Sequence, residues 1–274
     1  MLSVQTNFPS LVAQNSVGQS NNSLNTAMER LSTGLRINSA ADDAAGLQIA
    51  NRLNANVTGM NTAQRNIGDA TSMLQTADGA LDEVNNIAMR MKELATQGAN
   101  GVNSADDLKA LDAEFTELEA EVDRILGKTE YAGNDLFAAL DGGTTFQIGA
   151  SSTETLAVTV AAIDTSDLKG GGEDLTAVDL TADANGAIAV VDALIDVVGT
   201  SRSALGANIN RLEHTSNNLA NVSQNTQAAA GRIMDADFAS ESAAMTKNQL
   251  LVQSGTNILS RANQNTNLVM GLLG

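Results

Sequence analysis

Apolar residues recur at every seventh position from Met60 to Ala95. One row reads Met60, Ile67, Leu74, Leu81, Ala88, Ala95, and a second, three residues on, reads Ala63, Ala70, Ala77, Val84, Met91. These are the a and d rows of a heptad held for about five repeats, which predicts a long amphipathic helix. At ~1.5 Å per residue such a helix is roughly 50 Å or more long and needs apolar partners along its whole length. A second seam runs through Val191, Val198, Leu205, Leu212 and Leu219, with Val222 extending it. It lies over a hundred residues further on and is the natural partner. The two ends of the chain are therefore expected to come back together, with the middle carried as an insert.

The same spacing places the other helices. Asn7 and Pro9 suit a helix start, and Val17, Leu24 and Leu31 then recur every seven with Leu11, Met28 and Leu35 on the same face. Ser32-Thr33-Gly34 ends that helix, and Asp42-Asp43 stand where carboxylates cap the next one. The long helix runs to about Gln97, before the stop Gly98-Ala99-Asn100-Gly101. Ser104 and Asp107 then form a capping box with Asp in place of Glu. Leu108, Leu111, Phe115, Leu118, Val122 and Ile125 make one face of a third helix, antiparallel to the second because the turn between them is short. After Gly127 the period shortens. Phe146-Gln147-Ile148 and Leu156 to Val160 alternate as strands do, with Asp141-Gly142-Gly143 as a turn signal. Residues 161–186 read as a loop, and helical spacing returns at Ile188. The last helix carries Met245, Val252, Leu259 and Leu273 on one row and Leu251, Ile258 and Leu272 on its neighbour.

The expected fold is mainly α: long antiparallel helices in a coiled-coil-like bundle, a small β-hairpin region, and paired N- and C-terminal helices. Residues 1–41 and 235–274 form the two parts of one domain. Residues 42–186, with a variable loop at 161–186, and the helix 187–234 form the other.

Composition changes this picture in two ways. The polar faces of the terminal helices are amides rather than charges: Gln14, Asn15, Gln19, Asn21, Asn22 and Asn25 in the first, and Asn248, Gln249, Gln253, Asn257, Asn263, Gln264, Asn265 and Asn267 in the last. Such faces can hydrogen-bond to copies of themselves without like-charge repulsion, or stand solvated as uncharged helix surface. Charge, by contrast, gathers in the middle. Between Gly101 and Thr200 stand 20 acids against 4 bases, whereas the other 174 residues carry 12 acids and 11 bases. A formal net charge of −17 argues against a nucleic-acid partner. Aromatics at 2% leave the packing to Ala, Leu, Val, Ile and Met, which suits thin helix seams. With no Cys there is neither a disulfide frame nor thiol chemistry. No apolar run is long enough to span a membrane. The start Met1-Leu2-Ser3-Val4-Gln5 lacks the basic flank and apolar core of a secretory signal.

Candidate chemistry is sparse. No P-loop is present, and no G-x-G-x-x-G follows a strand. The single His214 cannot build a two-histidine bundle metal site and reads as a surface or interface residue. Asp183-Ala184-Asn185-Gly186 opens like a calcium loop but lacks its terminal Glu. The expectation is no enzyme, no catalytic residue, no metal and no cofactor.

Leu31-Ser32-Thr33-Gly34-Leu35-Arg36-Ile37-Asn38-Ser39-Ala40, Asp42 to Arg52, Ser203 to Ala207 with Asn210-Arg211-Leu212, Arg232 to Ala239, and Gln264 to Leu273 are stretches in which the chain resembles the bacterial flagellins. The resemblance covers both ends in the right order and implies a short member without the large outer domains that longer members insert. It implies a structural subunit that polymerises with itself into the filament of the bacterial flagellum. The terminal helices would form an inner tube and the longer helices an outer one, with arms that order on assembly. It further implies an extracellular location reached by type III export without a cleaved signal. Implied partners are an export chaperone, the filament cap, hook-junction proteins and the flagellin-sensing Toll-like receptor. For that receptor the matching contact residues are Arg90, Leu94 and Glu114. The residues expected to form assembly seams are Met60, Ile67, Leu74, Leu81, Val191, Val198, Leu205, Leu212, Leu219, Leu24, Leu31, Val252 and Leu259. A hook–filament junction protein of related fold and a long helical signalling module remain as alternatives.

Overall fold

The computed structural model describes residues 6–160, 163, 165 and 174–273, with side chains as far as Gln264. Its elements in order are α1 (Phe8–Thr33), α2 (Ala44–Gly98), α3 (Ala105–Lys128), β1 (Glu130–Tyr131), β2 (Asn134–Asp135), α4 (Leu136–Asp141), β3 (Thr144–Gln147), β4 (Thr155–Val158), a 3-10 turn (Leu175–Ala177), α5 (Leu180–Met234) and α6 (Phe238–Leu273). The mainly helical fold with a small hairpin region and paired terminal helices is as the spacing predicts. Most of the 161–173 loop, the start Met1 to Gln5, and the side chains of Asn265, Asn267, Leu272 and Leu273 lie outside the described residues.

Helix ends follow local chemistry. The Asn7 side chain accepts from the Ser10 amide at 3.2 Å, with Pro9 in the first turn of α1. Gly34 closes that helix in the left-handed region at φ 73°, which glycine adopts without a Cβ penalty. Ser104 and Asp107 form the reciprocal capping box of α3. The two carboxylates before α2 divide their work. Asp43 Oδ1 accepts from the Gly46 amide, as a cap does, at 2.9 Å. Asp42 instead holds the link, accepting from the amides of Asn38 and Ser39 and from the Ser39 hydroxyl.

The chain divides into two compact units, residues 1–55 with 225–274, and residues 56–224. In the second unit, residues 56–98 of α2 make a helical stretch about 65 Å long at ~1.5 Å per residue. Every member of both heptad rows is buried, from Met60 at 6% exposure to Leu74, Ala77, Leu81, Val84 and Ala95 at 0%. Val191, Leu194, Val198, Leu205 and Leu212 of α5 and Phe115, Val122 and Ile125 of α3 share that core. Both partners run antiparallel to α2. The Tyr131 hydroxyl just after α3 donates to Asp69 O, and Arg90 meets Glu114. On the other side Arg202 of α5 bridges Asp78 and Asp82, and Ser223 meets Asn61. Small d-row residues, mainly alanines, let these helices approach closely.

Three details depart from the sequence reading. Strands β1 and β2 form a hairpin whose turn residues, Ala132 and Gly133, both have positive φ, and the short α4 buries Leu136 and Leu140 behind it. Two-residue strands are too brief to show a period. The β3–β4 hairpin is the expected one; Phe146 pairs with Leu156 and Thr144 with Val158, and Leu156 and Val158 point to the core. Helix α5 begins at Leu180 rather than at Ile188. It breaks at Asp183 (φ −148°, ψ 80°), and Asp183 Oδ1 restarts it by accepting from the Gly186 amide. The calcium-like motif is this internal cap.

In the first unit α1 and α6 lie antiparallel. Asn7 Nδ2 donates to Ala262 O at 2.9 Å, the Ser10 hydroxyl to Asn263 Oδ1, and Arg30 Nη1 to Glu241 Oε1 at 3.0 Å. At the other end of the pair, the two links are clasped together. Arg36 N donates to Met234 O, Ala236 N to Gly34 O, and the Arg36 guanidinium to Ile233 O.

Candidate assembly surface

The first unit folds with almost no core of its own. Its buried apolar residues, among those described, are Ala13, Ala27, Ile37, Ala50 and Ala230. Only Ala13 and Ala27 of these lie in the two helices of 26 and 36 residues, so full burial offsets little of the entropy of ordering that pair. The larger apolar side chains instead face outward. Phe8 is 72% exposed, Leu250 and Ile258 58%, and Phe238 66%. Leu11, Val12, Met28 and Leu251 are also exposed. Beside them the amides Gln14, Asn15, Gln19, Asn21, Asn22 and Asn25 are all exposed, as are Gln249, Gln253 and Asn257.

Of the residues predicted for assembly seams, Ile67, Leu74, Leu81, Val191, Val198, Leu205 and Leu212 lie inside the second unit's own core, and Met60 is buried in the same unit. Leu219 packs at its edge. Leu24, Leu31, Val252 and Leu259 are half-buried in the helix pair of the first unit. Phe8, Val12, Phe238 and Leu250 stand outside the sevenfold rows, so the spacing gives no sign of them. The Arg30–Glu241 tie is likewise absent from those rows. Its signal was available, because Glu29 and Arg30 are the only charged residues of α1, so a lone cation there wants a partner.

The second candidate surface is a charge cluster on α2 and α3. Arg90 Nη2 and Nε reach Glu114 Oε1 at 2.8 and 3.0 Å, and Nη1 reaches Glu93 Oε2 at 3.0 Å. Donating to Glu114 first and Glu93 second raises the Arg90 pKa above its ordinary value. Both side chains of the Arg90–Glu114 pair are about half exposed, so the pair contributes little to stability and stays open to a partner. Leu94, one turn on, is 1% exposed and belongs to the core. The three receptor-matching residues are thus two surface charges over a buried leucine. His214 is exposed on α5. No cluster of three potential metal ligands occurs among the described residues, and no described helix is long and apolar enough to cross a membrane.

Residues 4–141 match the family model for the bacterial flagellin N-terminal helical region, and residues 188–273 the one for its C-terminal helical region. The chain is 41% identical over 269 residues to a flagellin of Halalkalibacterium halodurans, covering 97% of this chain and 98% of that one. It is 38% identical over 282 residues to the flagellar filament 33 kDa core protein of Treponema phagedenis, at 97% and 98% coverage. A solved structure assigned as a flagellar hook-associated protein of Vibrio parahaemolyticus superposes with a TM-score of 0.60 over 71% of this chain and 100% of that one, at 16% identity, a likeness of fold alone. With both terminal regions matched in order around the helices described above, the chain belongs to the bacterial flagellin family.

Proposed function

We infer that this chain is a structural subunit of the bacterial flagellar filament and polymerises with copies of itself. The observation that carries this reading is the first unit: a helix pair in which only Ala13 and Ala27 are buried, with Phe8, Val12, Phe238, Leu250 and Ile258 outside. Such a pair is stable where neighbouring copies cover its outer face, and the uncharged amide stripe lets identical surfaces meet without repulsion. Its place is the extracellular filament. The export chaperone, filament cap and hook-junction proteins are its further partners. The domains follow the same logic, with 1–41 and 235–274 lining the inner tube and 42–186 and 187–234 the outer. Deleting residues 238–274 removes one helix of the pair. The truncated chain is expected to stay in the supernatant after seeding with filament fragments, while the full chain sediments as long filaments in electron micrographs. Ordinary filaments from the truncated chain would overturn the account. A hook-junction role would give short caps on seeds and no elongation.

The Arg90–Glu114 cluster supports a second, narrower proposal, contact with the flagellin-sensing receptor. Arg90 and Glu114 offer the exposed groups, and Leu94 takes part by holding the helix beneath them. Replacing Arg90 and Glu114 by Ala is expected to abolish activation of a receptor reporter. Unchanged activation by a variant that retains its helix content sinks this proposal.

A further inference from the structure

Asn-Gly occurs twice in the chain, at Asn100-Gly101 and Asn185-Gly186. Both asparagines are exposed, so access alone does not separate them. Their backbones do. Asn100 lies in the turn between α2 and α3, where the described structure gives the Gly101 amide no hydrogen-bond partner and leaves open space around its Cα. The Asn100 side chain is drawn along the following backbone, with Oδ1 accepting from Val102 N at 3.4 Å. Asn185 sits inside α5, where the Gly186 amide donates to Asp183 Oδ1 at 2.9 Å and the carboxylate crowds the glycine Cα.

We propose that Asn100 is a self-modifying site, where the chain deamidates spontaneously to aspartate and isoaspartate while Asn185 is protected. The Gly101 nitrogen gives up its proton to solvent and attacks Asn100 Cγ. A new C–N bond forms, the Cγ–Nδ2 bond breaks, and ammonia leaves. The resulting succinimide takes up one water at either carbonyl. Opening at Cγ's side gives aspartate, and opening at the main-chain side gives isoaspartate. Water is the only co-reactant. Ring closure requires rotation about ψ of the asparagine. In an exposed turn this costs little, whereas in α5 it breaks helical hydrogen bonds and the Asp183 cap, so it waits on local opening.

The product alters its surroundings. Asn100 shares a surface depression with Met89, Lys92, Glu93, Thr96 and Gln97. A carboxylate there stands beside Glu93 and next to the C-terminal end of α2, where negative charge opposes the helix dipole. Isoaspartate also lengthens the main chain by one carbon within the turn closed by Asn103 N donating to Asn100 O. The modification therefore loosens the last turn of α2.

The test incubates the intact folded protein in mildly alkaline buffer and follows the tryptic peptides 93–109 and 170–202 by mass spectrometry. Isoaspartate is scored by enzymatic carboxyl methylation. Conversion in 93–109 is expected to be at least about tenfold faster than in 170–202, because only the second waits on opening of a helix. In denaturing urea the two rates are expected to converge. Gly101→Ala, which the open space accepts, is expected to slow the first and leave the second unchanged. Equal rates in the folded protein, or a difference that persists in urea, overturns the proposal.

Discussion

Gly255 of α6 faces Val17 of α1, and the effect of adding one methyl there reverses sign with the residue at 17. A Cβ built on Gly255 falls far inside van der Waals contact with Val17 Cγ2, yet 3.7 Å from Val17 Cβ, an ordinary contact. Val17 has little freedom to move aside, since a β-branched side chain in a helix has one strongly preferred rotamer. Overpacking of this kind costs about 1–3 kcal/mol. Against it stands the helix-propensity gain of Gly→Ala, about 1 kcal/mol. Gly255→Ala alone is therefore expected to weaken the helix pair by up to about 2 kcal/mol. Val17→Ala removes Cγ2 and leaves the comfortable Cβ contact. In that background Gly255→Ala is expected to strengthen the pair by about 1 kcal/mol. The coupling between the two sites is then about 1–3 kcal/mol, within the range for residues in contact. The critical concentration for seeded growth reads this directly, since ~1.4 kcal/mol is a factor of ten. Heat-induced loss of helix from assembled filaments gives an independent measure. If Gly255→Ala lowers the critical concentration with Val17 in place, or if Val17→Ala leaves its cost unaltered, then α1 and α6 do not pack as described.

Two further expectations concern the second unit. Leu74→Ala empties a fully buried a position midway along α2 and should destabilise the folded subunit by about 2–5 kcal/mol, read from urea unfolding. Burial first, then the carboxylates Asp123, Asp174 and Asp112, raises the pKa of Glu119 above 4.5. A carboxyl raised in the folded state favours folding when protonated, so its contribution is lost as pH rises through that raised value. Glu119→Gln should therefore raise the melting temperature at neutral pH, with the advantage fading as pH falls through the raised value toward the ordinary carboxylate range. Asp42, Asp107 and Asp179 have lowered values, owing chiefly to hydrogen bonds from Ser39, Ser104 and Thr181, and so oppose that trend in acid.

The second unit was legible because its packing repeats. A buried row with a fixed period leaves its mark every seven residues, and each of the eleven a and d positions from Met60 to Ala95 is buried. Caps were legible for a different reason: Asn7, Gly34, Ser104 and Asp107 act on neighbours within four residues, so their chemistry is local. Contacts across long stretches of chain left no such mark. Nothing near Arg202 in sequence identifies Asp78 and Asp82 as its partners, 120 and more residues away. The Asp183 break in α5 was hidden because the spacing before it resembles a loop, and nothing in Asp183-Ala184-Asn185-Gly186 marks it as a helix cap rather than a turn.

The receptor-matching triad shows where spacing misleads. Arg90 and Leu94 are four residues apart and so lie on one side of α2. That side spans the edge between core and solvent, however, and α3 packs against it. A residue four positions on is rotated by about 40° from its predecessor, enough to carry Leu94 into the heptad seam beside Met91 and Ala95. Its long aliphatic side chain completes the turn inward, while the Arg90 stem lets its guanidinium reach out to Glu114. Helical periodicity fixes which residues share a side; only the neighbouring helix decides which of them the side leaves in solvent.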